Sequence, residues 1–320
     1  MLVRRATVVG AGTMGAAIAE LLAFNGIEVT LKDVDAPKVE AGLRTVRRLV
    51  DDLVRFHAER ADGEIARIRE LGVELTDAQA AIVRQRLSPK VTSERGEAIV
   101  ARVRGATDYA GLAEADLAIE AVFEESSVKR TVLSEMDAVL PAHAPLGSNT
   151  SSLSITALAR GLAHRDRVLA LHFFNPPSTL PLVEVSGGLE TRDEIVTGSI
   201  EFLQGLRNHR YPMLPIRVKE SPAFVVNRLL LPVLNEACFA LEEGLASSRD
   251  IDAAMKAGAG FPMGPFELAD LVGTDIALHV CETLQRETGD PKYRPSPLLR
   301  RLVAAGHLGR KTGRGFYEYV

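Results

Sequence analysis

Cysteine is scarce in this chain. Cys238 and Cys281 are the only two in 320 residues, they sit in apolar stretches, and their spacing is not that of metal ligands. A disulfide framework and a zinc site are therefore disfavoured, and packed thiols in a reducing compartment are expected. Charge of one sign is also missing, with 38 basic against 42 acidic side chains and a formal net charge of -4. That balance argues against nucleic acid as the main partner. No run reaches the roughly 20 apolar residues of a membrane span, and MLVRRATVVGAG leads into a glycine motif without a cleavable apolar segment. A cytoplasmic protein with no membrane partner is expected. Internal repeats and low-complexity tracts are absent as well.

What is present is enough apolar material for a large core, 46% of all residues, on a length that suits two domains. From Ala6 to about Ile216, β-rich runs alternate with helical stretches, which predicts a Rossmann-type α/β domain on a doubly wound parallel sheet. ATVV, EVTL, DLAIEAV and RVLALHF read as buried strands. Residues 37–90 interrupt the alternation with Leu, Val and Ile at three and four spacing among Arg and Glu, a long helical excursion. Beyond Ile216 the strands cease. FVVNRLLLPVLNEACFALEEGL, SSRDIDAAMKAG, GTDIALHVCETLQRETG and SPLLRRLVAAG are all helical in pattern. Residues 1–216 are thus expected to form one domain and 217–320 a second, all-helical one.

The strand ATVV runs into Gly10-Ala11-Gly12-Thr13-Met14-Gly15 and then into AAIAELLAFN, closed by Gly26. A GxGxxG alone is weak, but between a strand and a helix it has a mechanical reading. Gly10 allows the tight turn, Gly12 clears space for a pyrophosphate, and Gly15 lets helix and strand pack closely. The phosphates would meet the unpaired N–H groups of the helix start. Asp33 follows at the end of the next strand, placed to bind the ribose hydroxyls and repel a 2′-phosphate, so NAD is preferred to NADP. The bland alternative is a glycine-rich turn with no ligand.

Polar residues gather where later strands end. Gly147-Ser148-Asn149-Thr150-Ser151-Ser152 follows a short apolar run, where it can line a reaction site or simply cap the next helix. His172 closes the strand of LHFFNPP, followed by Asn175 and two prolines, and Glu184 is a lone acid in the apolar run LPLVEV. Such an acid is costly unless partnered. A bond to His172 would satisfy it and fix the imidazole tautomer, although a surface-facing edge position would also explain Glu184. Alcohol oxidation with NAD needs one base near neutrality, and histidine, with a reference pKa of about 6.5, suits it without a metal.

Read together, GAGTMG, EAVFEE, SNTSSL, LHFFNPP, LPLVEV, FVVNRLL, GAGFPMGPFELAD and GRKTGRGFYEY resemble the L-3-hydroxyacyl-CoA dehydrogenase family of fatty-acid β-oxidation, in order and over nearly the whole chain. The resemblance implies a two-domain, NAD-dependent homodimer that oxidises L-3-hydroxyacyl-CoA reversibly to 3-ketoacyl-CoA. It makes His172 the catalytic base, Glu184 its partner, Ser151 a ligand of the substrate oxygen and Asn227 a helper from the helical domain. Glu124, Lys129, Asn175 and Lys311 match cofactor contacts, with a solvated helix start as the plain alternative for Glu124 and Lys129 and a neighbour, Arg310, able to replace Lys311. Residues 54–89 depart from the pattern: the family's CoA-contacting Ser and Lys lack clear counterparts, and Arg48, Arg55 and Arg60 could serve or merely be a solvated face. Two other readings remain open, a sugar-acid dehydrogenase of the λ-crystallin and gulonate dehydrogenase branch, and a structural protein that keeps NAD without turnover.

Overall fold

The computed structural model describes residues 1–319. The chain divides into two compact units, one made of Met1–Thr150 and Ile155–Val218, the other of Ser151–Ser154 and the chain from Lys219 onward. The first unit extends two residues past a cut at 216, because Val218 N–H still donates to Val185 O at 2.9 Å. The tetrapeptide Ser151–Ser154 groups with the second unit, where Ser154 Oγ donates to Glu220 Oε1 at 2.8 Å.

Eight strands form the sheet of the first unit: β1 (Arg5–Val9), β2 (Glu28–Lys32), β3 (Val103–Ala106), β4 (Leu117–Glu120), β5 (Leu146–Ser148), β6 (Val168–Phe173), β7 (Leu182–Gly187) and β8 (Leu214–Arg217). Their order is β3-β2-β1-β4-β5-β6-β7-β8. The chain goes outward from β1 to β3, then returns beyond β1 to β4, so a crevice opens at the carboxyl ends of β1 and β4. Neighbours are parallel with one exception: β7 runs antiparallel to β6. Residues 174–181 between them are too few for the crossover of about a dozen residues that a parallel pair needs. The chain turns back, and His172 lands directly opposite Glu184.

The unit's helices are α1 (Thr13–Phe24), α2 (Ala36–Glu70), α3 (Asp77–Arg86), α4 (Ser93–Ala101), α5 (Ser126–Asp137), α6 (Ile155–Ala159) and α7 (Asp193–Gln204). Ile18 and Leu22 of α1, Val46 and Val50 of α2, and Val196 and Leu203 of α7 share a core with Val8, Leu31, Ile119, Leu171 and Val185 of the strands. The excursion is a helical hairpin. The Asp35 side chain caps α2 by accepting from Lys38 N–H, and Val39, Val46, Val50, Leu53, His57, Ala61 and Ile65 form its buried stripe. A Thr76–Gln79 capping box starts α3, which folds back so that Arg84 pairs with Asp62 at 2.9 Å. The sequence pattern did not mark β3, whose four residues VRGA bury only Val103 fully.

The second unit contains α8 (Val226–Glu242), α9 (Ser248–Ala259), α10 (Pro265–Val272), α11 (Thr274–Thr288) and α12 (Pro297–Ala304). Leu231, Leu234 and Cys238 of α8 pack with Phe266, Val280, Cys281, Leu284 and Leu299. Ser247 and Ser296 cap α9 and α12, and Gly260 and Gly289 end α9 and α11 in the left-handed region. Both cysteines are free and buried, and burial pushes each thiol up to about 12.

Candidate active site

The glycine loop lies at the crevice between β1 and β4. Gly10 has φ +106°, and a Cβ there would collide with Ala121 O, so the turn admits only glycine. A Cβ on Gly15 would overlap the Gly10 carbonyl, whereas one on Gly12 would meet nothing, which leaves open space over the start of α1. Gly12 is the N-cap and offers no capping side chain, while Thr13 is exposed and Met14 half-buried. Asp33 braces the loop: its Oδ2 accepts from Ala11 N–H and its Oδ1 from Val34 N–H, each at 2.7 Å. These bonds fix the carboxylate at the end of β2, where an adenosine ribose would lie. A cleared loop, uncapped amides and an oriented acid are what a dinucleotide requires, so these residues fit NAD.

Across the crevice the ends of β4, β5 and β6 carry a second constellation. Residues paired across neighbouring strands share a face, and Glu120 pairs with Ser148, which pairs with Ala170. His172 and Glu184 follow two residues further along on that same face. His172 Nδ1 lies 2.8 Å from Glu184 Oε2, with the imidazole 7% and the carboxylate 0% exposed. The edge-strand alternative for Glu184 is excluded by that burial. The Phe174 ring packs 4.6 Å from the imidazole, and Asn149 Oδ1 accepts from Phe173 N–H at 2.9 Å, tying the end of β5 to the strand that carries His172.

The third group surrounds Lys129. Its ammonium donates to Glu120 Oε1 at 2.7 Å and Val122 O at 3.2 Å, and lies 3.3 Å from Glu124 Oε2. Glu124 Oε1 accepts from Thr150 Oγ at 2.7 Å. A solvated helix start does not describe Lys129, which is 1% exposed. Glu120 was not singled out from the sequence, yet it gives the same signal as Glu184, an acid in an apolar strand.

Other predicted residues stand elsewhere. Asn175 is exposed just beyond β6. Ser151, Asn227 and Lys311 belong to the second unit, where Asn227 lies half-buried in the first turn of α8, after Ala223 and Phe224 at φ 62° and 46°. Lys311 is bidentate on Asp275 at 2.6 and 2.7 Å, and Arg310 stacks over Tyr319 instead. On α2, Arg48 and Arg55 both pair with Asp52, and Arg60 is exposed.

Two family models cover nearly all of the chain: the 3-hydroxyacyl-CoA dehydrogenase NAD binding domain over 5–85 and 64–220, and the C-terminal domain of the same family over 224–319. The chain belongs to the 3-hydroxyacyl-CoA dehydrogenase family. It is an NAD-dependent oxidoreductase on that ground, with the glycine loop and Asp33 as the matching hardware. A 3-hydroxybutyryl-CoA dehydrogenase of Bradyrhizobium diazoefficiens is 39% identical over 319 residues, covering 99% of this chain and 96% of the relative. The mitochondrial hydroxyacyl-coenzyme A dehydrogenase of Homo sapiens is 36% identical, covering 100% and 92%. Among solved structures, the (S)-3-hydroxybutyryl-CoA dehydrogenase of Ralstonia eutropha covers 100% of both chains at TM-score 0.81 and 39% identity. No helix among the described residues is long and apolar enough to cross a membrane.

Proposed function

We propose that this dehydrogenase oxidises L-3-hydroxyacyl-CoA reversibly to 3-ketoacyl-CoA, with His172 as general base. The observation that carries the reading is the buried His172–Glu184 pair at the carboxyl edge of the NAD-binding sheet. With Nδ1–H donating to Glu184, the basic lone pair lies on Nε2, the atom that takes the hydroxyl proton. Glu184 stabilises the imidazolium so formed and holds the ring in one orientation. NAD, when bound, supplies the acceptor for the hydrogen that leaves C3 with its electron pair. In the return direction the same Nε2 delivers the proton to the ketone oxygen. Ser151 and Asn227 are assigned to the substrate oxygen, and Glu124, Asn175 and Lys311 to the cofactor, by their motifs.

The acyl-CoA substrate agrees with what the relatives' names say of them. The working form is read as a homodimer through the helical domain, because Val225, Leu229 and Val233 place an exposed apolar stripe along one side of α8. Two buried, unpaired cysteines suit a reducing cytoplasm. Mixing the protein with NADH and acetoacetyl-CoA and following NADH absorbance tests the function. Oxidation is expected, and His172→Gln should abolish it while leaving NADH affinity unchanged. Silence with acetoacetyl-CoA alongside turnover of a sugar acid would replace this reading.

A further inference from the structure

Glu120 and Lys129 form the most deeply buried ion pair beside the crevice, at 0% and 1% exposure, and the general base touches neither in the scheme above. All the hydrogen-bonding capacity of Glu120 is directed inward. Oε1 takes Val122 N–H at 2.7 Å and the Lys129 ammonium at 2.7 Å, and Oε2 takes Ser148 Oγ at 2.6 Å. Lys129 in turn reaches Glu124, whose carboxylate-bearing side chain is 26% exposed. The connections close a ring: Glu120 to Lys129, Lys129 to Glu124, Glu124 to Thr150, and back along the chain to Ser148. Two carboxylates around one ammonium leave a single net negative charge, presented at Glu124.

A lysine in a cofactor site could bind phosphate directly, but burial decides otherwise. Drawing Lys129 outward would strand the Glu120 carboxylate at zero exposure, and leaving a buried charge unpaired is strongly destabilising. Its ammonium is also turned toward two acids, which repel a phosphate. The second half of a doubly wound sheet, over β4 to β6, takes the nicotinamide end of the dinucleotide. Glu124 stands at that end, aimed by Thr150 on one side and Lys129 on the other.

We infer that Glu120 is a positioning residue for the cofactor: through Lys129 it holds the Glu124 carboxylate where the nicotinamide half of NAD binds, and Lys129 itself is a strut rather than a phosphate ligand. Neutralising Glu120 would leave Lys129 with Glu124 as its one anionic partner. Glu124 would then be pulled inward, away from Thr150 and from the cofactor. The inference rests on the crevice being an NAD site, and not on which alcohol is oxidised.

The test is a double-mutant cycle read by NADH fluorescence titration, with thermal melts as a control. Glu120→Gln and Glu124→Gln should each weaken NADH binding by about tenfold, and the double variant should be no weaker than Glu124→Gln alone. Additive losses would overturn the proposal, since Glu120 would then act independently of Glu124. Wild-type NADH affinity in Glu120→Gln would overturn it too, even if the melting temperature fell, because a purely structural pair predicts that result. Should Glu120→Gln fail to fold, Ser148→Ala removes one bond from the same carboxylate. It should weaken NADH binding by about threefold on its own and have no effect in the Glu124→Gln background; a further loss in that background, or wild-type affinity in Ser148→Ala alone, overturns the proposal equally. A wild-type protein that binds NADH but ignores acetoacetyl-CoA would sink the substrate reading and leave this cycle interpretable.

Discussion

Replacing Glu184 by Gln removes one charge while keeping the shape of the side chain and an oxygen for the Nδ1–H of His172. The contact is 2.8 Å between Nδ1 and Oε2, and the carboxylate has no solvent exposure. When His172 takes the substrate proton its ring becomes an imidazolium, and with the bonded atoms 2.8 Å apart the delocalised charges are treated as centred about 4 Å from each other. At an effective dielectric of about 20 their attraction is worth about 4 kcal/mol. The amide dipole recovers part of that, so a fall in kcat of about a hundred- to a thousandfold is expected. Glu184 lies on β7 away from the glycine loop, so NADH affinity should stay within about twofold of wild type. Stopped-flow reduction of acetoacetyl-CoA gives the first quantity and NADH fluorescence the second. If Glu184→Gln kept more than a tenth of wild-type turnover with an unchanged melt, the carboxylate would not be stabilising a proton on His172, and the assignment of the base would fail with it.

Three further outcomes follow from other parts of the fold. Gly15→Ala should lose about 3 kcal/mol or more and all NADH binding, because its Cβ would overlap the Gly10 carbonyl; a well-folded, NADH-binding variant would refute the close packing of β1 on α1. Burial alone would raise the Asp137 carboxyl, but hydrogen bonds from Arg167 and from the His164 N–H outweigh it and hold Asp137 below its ordinary range. A depressed folded-state pKa gives stability that is present above about pH 4 and lost as pH falls below it, so the melting temperature should drop less steeply in acid for Asp137→Asn than for wild type. Leu229→Lys, on the exposed stripe of α8, should convert the proposed homodimer to monomer in sedimentation velocity, and a dimer of wild-type stability would refute the proposed interface.

The sequence alone determined the local grammar of this protein. Glycines at 10, 12 and 15 between a strand and a helix, an acid at 33, apolar residues at helical spacing from Val39 to Ile65, and serine caps before α9 and α12 are signals that act within a few residues, so they are legible in one dimension. Glu184 is flagged by its apolar run as an acid needing a partner, and Glu120, in the apolar strand LAIE, carries the same signal with no histidine beside it in the sequence. What pairs with what was decided in three dimensions. The turn at 174–181 reverses β7 and sets His172 opposite Glu184, and the register of β4 on β5 brings Ser148 to Glu120. Lys129 matches a cofactor contact by its motif, with a solvated helix start as the alternative, and only the fold shows it enclosed by two carboxylates from other positions in the chain. Burial of a charge depends on which strands become neighbours, and strand order and register are settled by the packing of the whole sheet rather than by any one segment.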